Sequence, residues 1–331
     1  MDALSEVLQV IRIDSAIFLN GEFSEPWCFS SPESHRLAPM LNCASAHVII
    51  YHLLCEGRAY FEVHGGNRVL LSPGDLVALP HGHAYRMGGG PRMTPVRTDR
   101  ALPGMLAHGL ELLNVGGGGE PCRFICGYLA CDAQLSQAFL GGLPPLIRLN
   151  LRDDEPGRWL ETSLRFSVAQ AASQDAGASG MLAKLSEVFF AETLRRYQRG
   201  LAPEQTGWLA GARDPGVGKA LTLMHRQPAH PWTLADLARE SGLSRTVLAE
   251  RFRYFLGDPP MAYLTRWRLR LGARALLSTP RSIAEIAAEV GYESEAAFNR
   301  AFKREHGLPP ARYRREKATR VAESAAPAGS E

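Results

Sequence analysis

The chain has 331 residues, of which 45% are hydrophobic and 21% are charged, and its formal net charge is +3. This composition is typical of globular proteins and excludes a mostly disordered chain, while the length suits two domains. No run approaches the roughly 18 consecutive apolar residues of a membrane span. The N-terminus carries acidic residues instead of the basic residues of a secretory signal. We therefore expect a cytoplasmic protein that has no membrane partner.

The small net charge hides an uneven distribution. Residues 1–218 hold 18 Lys+Arg and 22 Asp+Glu, a net charge of −4, whereas residues 219–331 hold 19 and 12, a net charge of +7. An acidic part joined to a basic part is typical of a sensor attached to a domain that binds a polyanion. A basic face that is merely solvated is the alternative, and charge alone does not decide between them.

The first pattern along the chain is one of short strands. Between residues 47 and 87, runs of β-branched and aromatic residues are separated by Gly and Pro turns, which predicts antiparallel strands in a small barrel or sandwich. The stretch 88–120 contains GGGP and GGGG and predicts a mobile loop before a strand over 121–131. The segment LSPGDLVALPHGHAYRM, residues 71–87, resembles the PGD…P-x-G-x-x-H stretch of cupin barrels.

The metal site of enzymatic cupins is incomplete in this sequence. Many cupins of this kind hold a metal with an H-x-H…E cluster and a later His. Here His47 and His52 are five residues apart, so on one strand they face opposite ways. Tyr85 stands where the later His would be, although His83 is near. We therefore predict neither a metal nor a cofactor, with a metal-dependent cupin enzyme as the alternative.

All six cysteines lie in the acidic part, and three of them share the predicted strand 121–131. Alternation puts Cys122 and Cys126 on one face and Cys131 on the other. The cysteines are either buried structural thiols or redox sensors, and the sequence leaves both roles open. A zinc site is not favoured, because a second close pair of Cys or His residues is missing. The candidate residues for an effector or redox site are Cys55, His81, His83, Tyr85, Cys122 and Cys126.

Two amphipathic helices are predicted after the strands, over residues 159–173 and 180–200. Leu182, Leu185, Phe189 and Leu194 share a stripe that faces either a partner subunit or the domain's own core. Residues 204–218 are rich in Gly and Pro and predict a linker. The expected domains are thus a sensor and dimerisation domain over 1–203, a linker over 204–218, a DNA-binding domain over 219–318 and a flexible tail over 319–331.

The basic part contains an internal repeat. Leu234-Ala-Asp-Leu-Ala matches Ile283-Ala-Glu-Ile-Ala at a shift of 49 residues, and GDPPMAY matches GLPPARY at a shift of 50. Each copy predicts two helices joined by a short Gly-containing turn, a helix-turn-helix, and the second turn is one residue longer. Ser244 is placed to cap the second helix of the first copy, while Ser282 and Glu285 form a capping box.

A joining helix over 261–278 is predicted between the two copies, where it would hold them at a fixed separation. Residues 219–316 resemble the DNA-binding domain of AraC-family bacterial transcription regulators, through the double helix-turn-helix, YLTRWRLRLGARALL and IAEIAAEVGYESEAAFNRAFKREHGLPPARYR. The resemblance implies a cupin-like sensor domain at the N-terminal side and dimerisation through helices like those at 159–200.

Candidate DNA contacts lie on the second helix of each copy, off its apolar stripe. Arg can pair with guanine, Asn with adenine and Glu with cytosine. The candidates for base contacts are Arg245, Thr246, Ala249, Glu250, Glu295, Ala296, Asn299 and Arg300. The candidates for phosphate contacts are Ser244, Arg253, Arg266, Arg268, Ser294, Lys303 and Arg304.

The sequence therefore predicts an α+β protein. Its antiparallel cupin-like β barrel carries flanking helices, and an all-α double helix-turn-helix follows. The predicted function is transcription regulation, as an activator, under control of a small-molecule or redox signal. The predicted partners are promoter half-sites in double-stranded DNA, an unidentified effector, a second copy of the chain and RNA polymerase.

Overall fold

A computed structural model describes residues 2–316, apart from 11–12, 42, 44–45, 109, 111, 133–138 and 173–175. Contacts between Cα atoms divide the chain into two compact units. The sheet unit comprises residues 13–133 and 143–200, and the helical unit comprises residues 1–12, 134–142 and 201–331. The tail predicted over 319–331 lies outside the described residues.

The sheet unit contains eleven described strands in two sheets. One sheet has the order β11-β6-β3-β10-β1-β9 and the other β5-β4-β7-β2-β8. The strands are β1 Ile13–Ser24, β2 Trp27–Ser31, β3 Ala46–Glu56, β4 Ala59–Val63, β5 Arg68–Leu71, β6 Asp75–Leu79, β7 Tyr85–Gly89, β8 Val96–Arg97, β9 Leu113–Gly116, β10 Pro121–Asp132 and β11 Ile147–Asn150. The sheet-rich, cupin-like class predicted for this part of the chain is confirmed.

The central strands β3 and β10 are buried on both faces. Val48, Ile50 and Leu54 of β3 belong to the apolar core of the sheets together with Phe124 of β10. Intervening residues of β3 face the flanking helices, since the Tyr51 hydroxyl donates to Ser186 Oγ at 3.3 Å. Alternation thus gives each strand two apolar environments, which explains its nearly continuous hydrophobic sequence.

Two long helices, α3 (Glu155–Ala172) and α4 (Ala178–Arg199), pack together, and α4 also packs against β1. Leu182, Phe189 and Leu194 are buried within the sheet unit. These three side chains therefore belong to the core, the second of the two roles left open by the sequence.

The stretch predicted as a loop over 88–120 contains more structure than expected. It includes β8, β9 and the helix α2 (Thr98–His108). Pro103 lies inside α2 and Gly104 follows it, so local propensity argued against a helix. Burial of Leu102 and Met105 in the sheet core compensates for this weak propensity.

In the helical unit, the described residues lie in helices or in the connections between them. The helices are α1 Ala3–Val10, α5 Trp208–Arg213, α6 Pro215–Arg226, α7 Leu234–Glu240, α8 Arg245–Leu256, α9 Pro260–Ser278, α10 Ile283–Glu289 and α11 Glu295–His306. Residues 310–316 form a further short helical segment. Within the described ranges, no helix is both long and apolar enough to cross a membrane.

Helices α7–α8 and α10–α11 are the two helix-turn-helix copies. The first turn spans 241–244 and the second 290–294, one residue longer as predicted. The joining helix α9 packs against both copies, with different buried side chains in its two halves. Leu264 and Trp267 are buried in its first half, while Leu269, Ala273 and Leu276 join the core of the second copy.

The predicted linker, residues 204–218, forms α5 and the first turn of α6. Trp208, Leu209 and Val217 are buried, and Asp214 caps α6 by accepting from the backbone N–H groups of Gly216 and Val217. The glycines suggested a flexible segment, but they allow close packing instead. A β-carbon on Gly218, for example, would lie 2.4 Å from the carbonyl oxygen of Ala212.

Candidate DNA-binding surface and sensor cavity

The second helix of each copy is fixed at both ends by its own sequence. Ser244 accepts from the N–H of Val247, and Ser294 accepts from the N–H of Ala297, both at 3.2 Å. Gly257 and Gly307 end α8 and α11 with left-handed backbone conformations, which glycine adopts without strain. Below them Leu248, Phe252, Phe298 and Phe302 are fully buried. The opposite faces of α8 and α11 are thereby held outward.

The structure places the predicted base-contact residues on these outward faces. Ala249 and Asn299 are half-buried and the other six are exposed. The side-chain amide of Asn299 donates to Glu295 Oε1 at 3.4 Å, so these two candidates lie within reach of each other on α11. Whether they contact bases stays a prediction.

The cations of the basic part differ in what they contact. Among the described residues, the side chains of Arg245, Arg253, Arg300, Lys303 and Arg304 form no ion pair and no hydrogen bond, and all five are exposed. All of them lie on α8 or α11. Charges without intramolecular partners on two outward helix faces are available to an external polyanion.

Two other phosphate candidates have partners within the helical unit. Arg266 pairs with Asp258. Arg268 donates to the carbonyl oxygens of Pro228 at 2.6 Å and of His230 at 2.7 Å, and burial lowers its pKa. Both arginines lie on α9, where the structure gives them internal contacts that the sequence pattern did not reveal. Their contact with phosphate stays a prediction.

Val247 is a surface residue that the sequence pattern missed. It is a hydrophobic residue next to the buried Leu248 on α8, yet it is 37% exposed. Val247 is the third residue after the N-cap, next to Thr246 and Arg245. A branched apolar side chain at this position can contact a thymine methyl group. The available clue was that an amphipathic helix buries only every third or fourth residue, so Val247 and its neighbour Leu248 could not both be fully buried.

A chain of polar side chains lies in the core of the sheet unit. His52 on β3 is paired in register with Cys126 on β10, and its Nδ1 lies 2.8 Å from Cys126 Sγ. The other ring nitrogen, Nε2, lies 2.8 Å from the hydroxyl of Tyr85 on β7. The imidazole therefore connects the two sheets through one contact to each. All three residues are buried.

The polar chain borders a small apolar cavity of about 20 Å³. This volume is enough for roughly one water molecule. Besides the three polar residues, the cavity is lined by Leu19, Phe23, Phe29, Met87, Thr98 and Met105. Of the predicted effector candidates, the structure brings Tyr85 and Cys126 together here, and His52 is the member that sequence reasoning missed.

Burial sets the protonation of these groups. It lowers the pKa of His52 to about 3 and raises the pKa values of Tyr85 and Cys126 well above their usual ranges. At neutral pH the imidazole, phenol and thiol are consequently all uncharged. Each ring nitrogen of His52 then either donates or accepts one hydrogen bond, so the chain is satisfied without a net charge in the core.

The remaining effector candidates lie apart from this chain. His81 contacts the carbonyl oxygen of Leu143 at 2.8 Å, and His83 is exposed. Burial raises the pKa of the Cys55 thiol to about 11 and that of Cys122 to about 12. Cys122 shares the sheet core with Cys126, whereas Cys131 lies outside that cluster, which matches the predicted alternation along β10.

His47 and His52 have different partners, as their spacing predicted. His47 Nε2 contacts the carbonyl oxygen of Pro80, on the other side of β3 from the polar chain. Among the described residues, no group of three or more His, Cys, Asp or Glu side chains is arranged to hold a metal ion.

Comparisons with known proteins cover both units. A cupin family model matches residues 2–199, and a helix-turn-helix domain model matches residues 237–316. A crystal structure of a transcriptional regulator from Chromobacterium violaceum, of the proteins that contain an AraC-type DNA-binding domain, is 28% identical to this chain. The match covers 31% of this chain and 93% of that one, with a TM-score of 0.30.

Relatives match along nearly the whole length. An AraC-like transcription regulator of Streptomyces lividans is 30% identical over 321 residues, 95% of this chain and 98% of that protein. The RCS-specific HTH-type transcriptional activator RclR of Escherichia coli K12 is 27% identical over 315 residues, 95% and 97% of the two chains. With a cupin domain followed by a double helix-turn-helix, the chain belongs to the AraC family of DNA-binding transcription regulators.

Proposed function

We propose that this regulator binds promoter half-sites through α8 and α11 and activates transcription in the cytoplasm in response to a signal sensed in its cupin domain. The five unpartnered cations on α8 and α11 carry the proposal for DNA. The joining helix α9 packs into both copies and fixes the separation of the two helices, which suits entry into successive major grooves.

A substitution on α11 tests this assignment. Arg300→Ala is expected to weaken binding to the operator by about 1–3 kcal/mol and to relax the preference for one base pair, because an exposed arginine without a partner is free to pair with guanine. Parallel gel-shift titrations on operator and scrambled duplexes measure both effects.

Arg281→Ala is the matched control, because Arg281 is an exposed arginine of the same unit that pairs with Glu289 outside α8 and α11. The control is expected to bind both duplexes as the unaltered protein does. Equal losses for Arg300→Ala on the two duplexes would assign Arg300 to phosphate contact instead of base contact.

Signal sensing is proposed at the cavity beside His52, Tyr85 and Cys126. These residues join the two sheets, so a ligand that replaces one of their contacts changes how the sheets pack. Thiolates are the reactive form of cysteine, and burial keeps the thiols of Cys55, Cys122 and Cys126 protonated. This protonation favours a small molecule over an oxidant as the signal, with opening of the cavity required for entry.

The oxidant alternative has a direct test. Brief treatment with hydrogen peroxide is expected to change the DNA affinity of the reduced protein less than about twofold, because a buried protonated thiol reacts slowly. The triple variant Cys122→Ser, Cys126→Ser, Cys131→Ser is the comparison. A larger loss that the triple variant abolishes would establish thiol sensing instead. Mass spectrometry of the treated protein identifies the oxidised residue.

Activation and a specific signal are supported by one relative, which is named an RCS-specific transcriptional activator. An activator requires RNA polymerase as a partner, and paired half-sites require a second copy of the chain. The metal-dependent enzyme is not favoured by any observation on the described residues. A stoichiometric transition metal in the purified protein would revive it.

A further inference from the structure

The helical unit contains a pocket of about 240 Å³ that none of the DNA contacts uses. It lies between the segment 201–214 and the C-terminal turn of α8, and we name it the α8 pocket. Its apolar lining consists of Leu201, Ala202, Pro203, Ala210 and Phe255. The volume approaches the lower end of the range for small-molecule sites, so a ligand with one ring fits.

Three polar side chains line the α8 pocket, and two of them already have their acceptor oxygens engaged within the protein. The side-chain oxygen of Gln205 accepts from the N–H of Ala202 at 2.9 Å. Asp214 caps α6 with one oxygen and accepts from Arg251 at 3.0 Å with the other. Both acceptors are therefore engaged inside the protein.

Arg213 is the third polar group, and it is only partly engaged. Its Nη1 donates to the carbonyl oxygen of Leu201 at 3.0 Å, and within the described residues it forms no ion pair. A guanidinium has five N–H donors, so several remain for a ligand. An apolar lining with one cation at which donors are free matches a single carboxylate on an apolar body.

We propose that the α8 pocket binds a small organic monocarboxylate with an apolar ring and that this ligand acts on the first helix-turn-helix. Three contacts tie the pocket's wall to the second half of α8. The N–H of Gly207 donates to the carbonyl oxygen of Phe255 at 2.8 Å, the Tyr254 hydroxyl donates to the carbonyl oxygen of Glu204 at 3.2 Å, and Arg251 donates to Asp214. A ligand held between these elements changes the position of α8, so its binding is linked to that of DNA.

This inference adds a second regulatory site to the proposed function, and its test separates the two. Binding of benzoate to the full-length chain is measured first without DNA, by isothermal titration calorimetry, with benzamide as the uncharged counterpart. We expect benzoate to bind with a Kd in the high micromolar to millimolar range and benzamide at least tenfold more weakly. The result does not depend on whether the chain binds an operator.

Two variants locate the site. Arg213→Gln is expected to weaken benzoate binding at least tenfold by removing the charge, and Ala202→Phe is expected to do the same by filling the pocket. Arg239→Gln is the matched control, because Arg239 is an exposed arginine of the same unit on α7. It should leave the Kd within twofold. Absence of benzoate binding, or binding that neither pocket variant weakens, overturns the proposed site.

Linkage to DNA is tested last. Saturating benzoate is expected to shift the DNA affinity of the unaltered protein at least threefold in gel-shift titrations, and Arg213→Gln should not respond. Benzoate binding that depends on Arg213 without any shift in DNA affinity would overturn the regulatory role while the binding site stands.

Discussion

His52 connects the two sheets, and its environment makes stability depend on pH. The folded state keeps the imidazole neutral down to a pKa of about 3, whereas in an unfolded chain the pKa is about 6.5. Below pH 6.5 the unfolded state therefore binds a proton that the folded state does not. The free energy of unfolding is expected to decrease as the pH falls from 6.5 towards 3, by about 1.4 kcal/mol per pH unit for this residue.

His52→Gln removes the titrating group and should reduce this slope, as measured by urea unfolding at several values between pH 7 and pH 5. His83→Gln is the control, because His83 is an exposed histidine of the same unit. An unchanged slope in His52→Gln would mean that His52 already gains a proton in the folded protein near neutral pH.

At the scale of elements, the second helix-turn-helix depends on the cap of a seven-residue helix. Ser282 Oγ accepts from the N–H of Glu285, and the Glu285 carboxylate accepts from the N–H of Ser282, so the capping box begins α10. Ser282→Ala is expected to lower the free energy of unfolding of the helical unit by about 1 kcal/mol. Thermal unfolding measures the change.

Ser278→Ala is the control for this element, since Ser278 is an exposed serine whose hydroxyl donates to the carbonyl oxygen of Arg274 near the end of α9. Its effect should stay within about 0.5 kcal/mol. If the two variants are equally stable, water replaces the cap of α10 without cost.

Local signals in the sequence predicted most of the helical unit. Caps such as Ser244 and Ser282, and the repeat of apolar positions, act over three to four residues, so they are readable without tertiary information. The contact between His52 and Cys126 could not be found in this way, because it depends on the register of β3 with β10, which are separated by many residues. The helix α2 was also missed, since burial stabilises it against its own Pro103. The partners of Arg266 and Arg268 are likewise set by tertiary packing.

At the scale of the whole molecule, α3 and α4 carry apolar side chains on their outer faces. Trp159 and Phe166, seven residues apart on α3, are 62% and 60% exposed, and Met181 and Val188, with the same spacing on α4, are 45% and 50% exposed. A spacing of seven residues places both members of a pair on one face of a helix. Such exposed apolar faces are typical of interaction sites, and a second copy of the chain is the proposed occupant.

The double variant Trp159→Glu, Phe166→Lys is expected to convert a dimer into a monomer, because it places charges where apolar surface would be buried. Sedimentation velocity measures the change over a range of protein concentrations. Leu70→Lys is the control, because Leu70 is an exposed apolar residue of the same unit that lies on β5, outside α3 and α4. A monomeric unaltered protein, or a double variant that remains dimeric, would remove α3 from the interface.

The position of α1 has a consequence for how the chain is made. Ala3, Leu4 and Val7 are buried, and α1 packs against α5 and α6 within the helical unit. Residues 3–10 therefore leave the ribosome about 200 residues before their partners at 208–226. At about 5–20 residues per second, that interval is about 10–40 s. During translation the sheet unit can fold while α1 has no partner, and a nascent chain that stops before α5 leaves these three side chains exposed to chaperones and proteases.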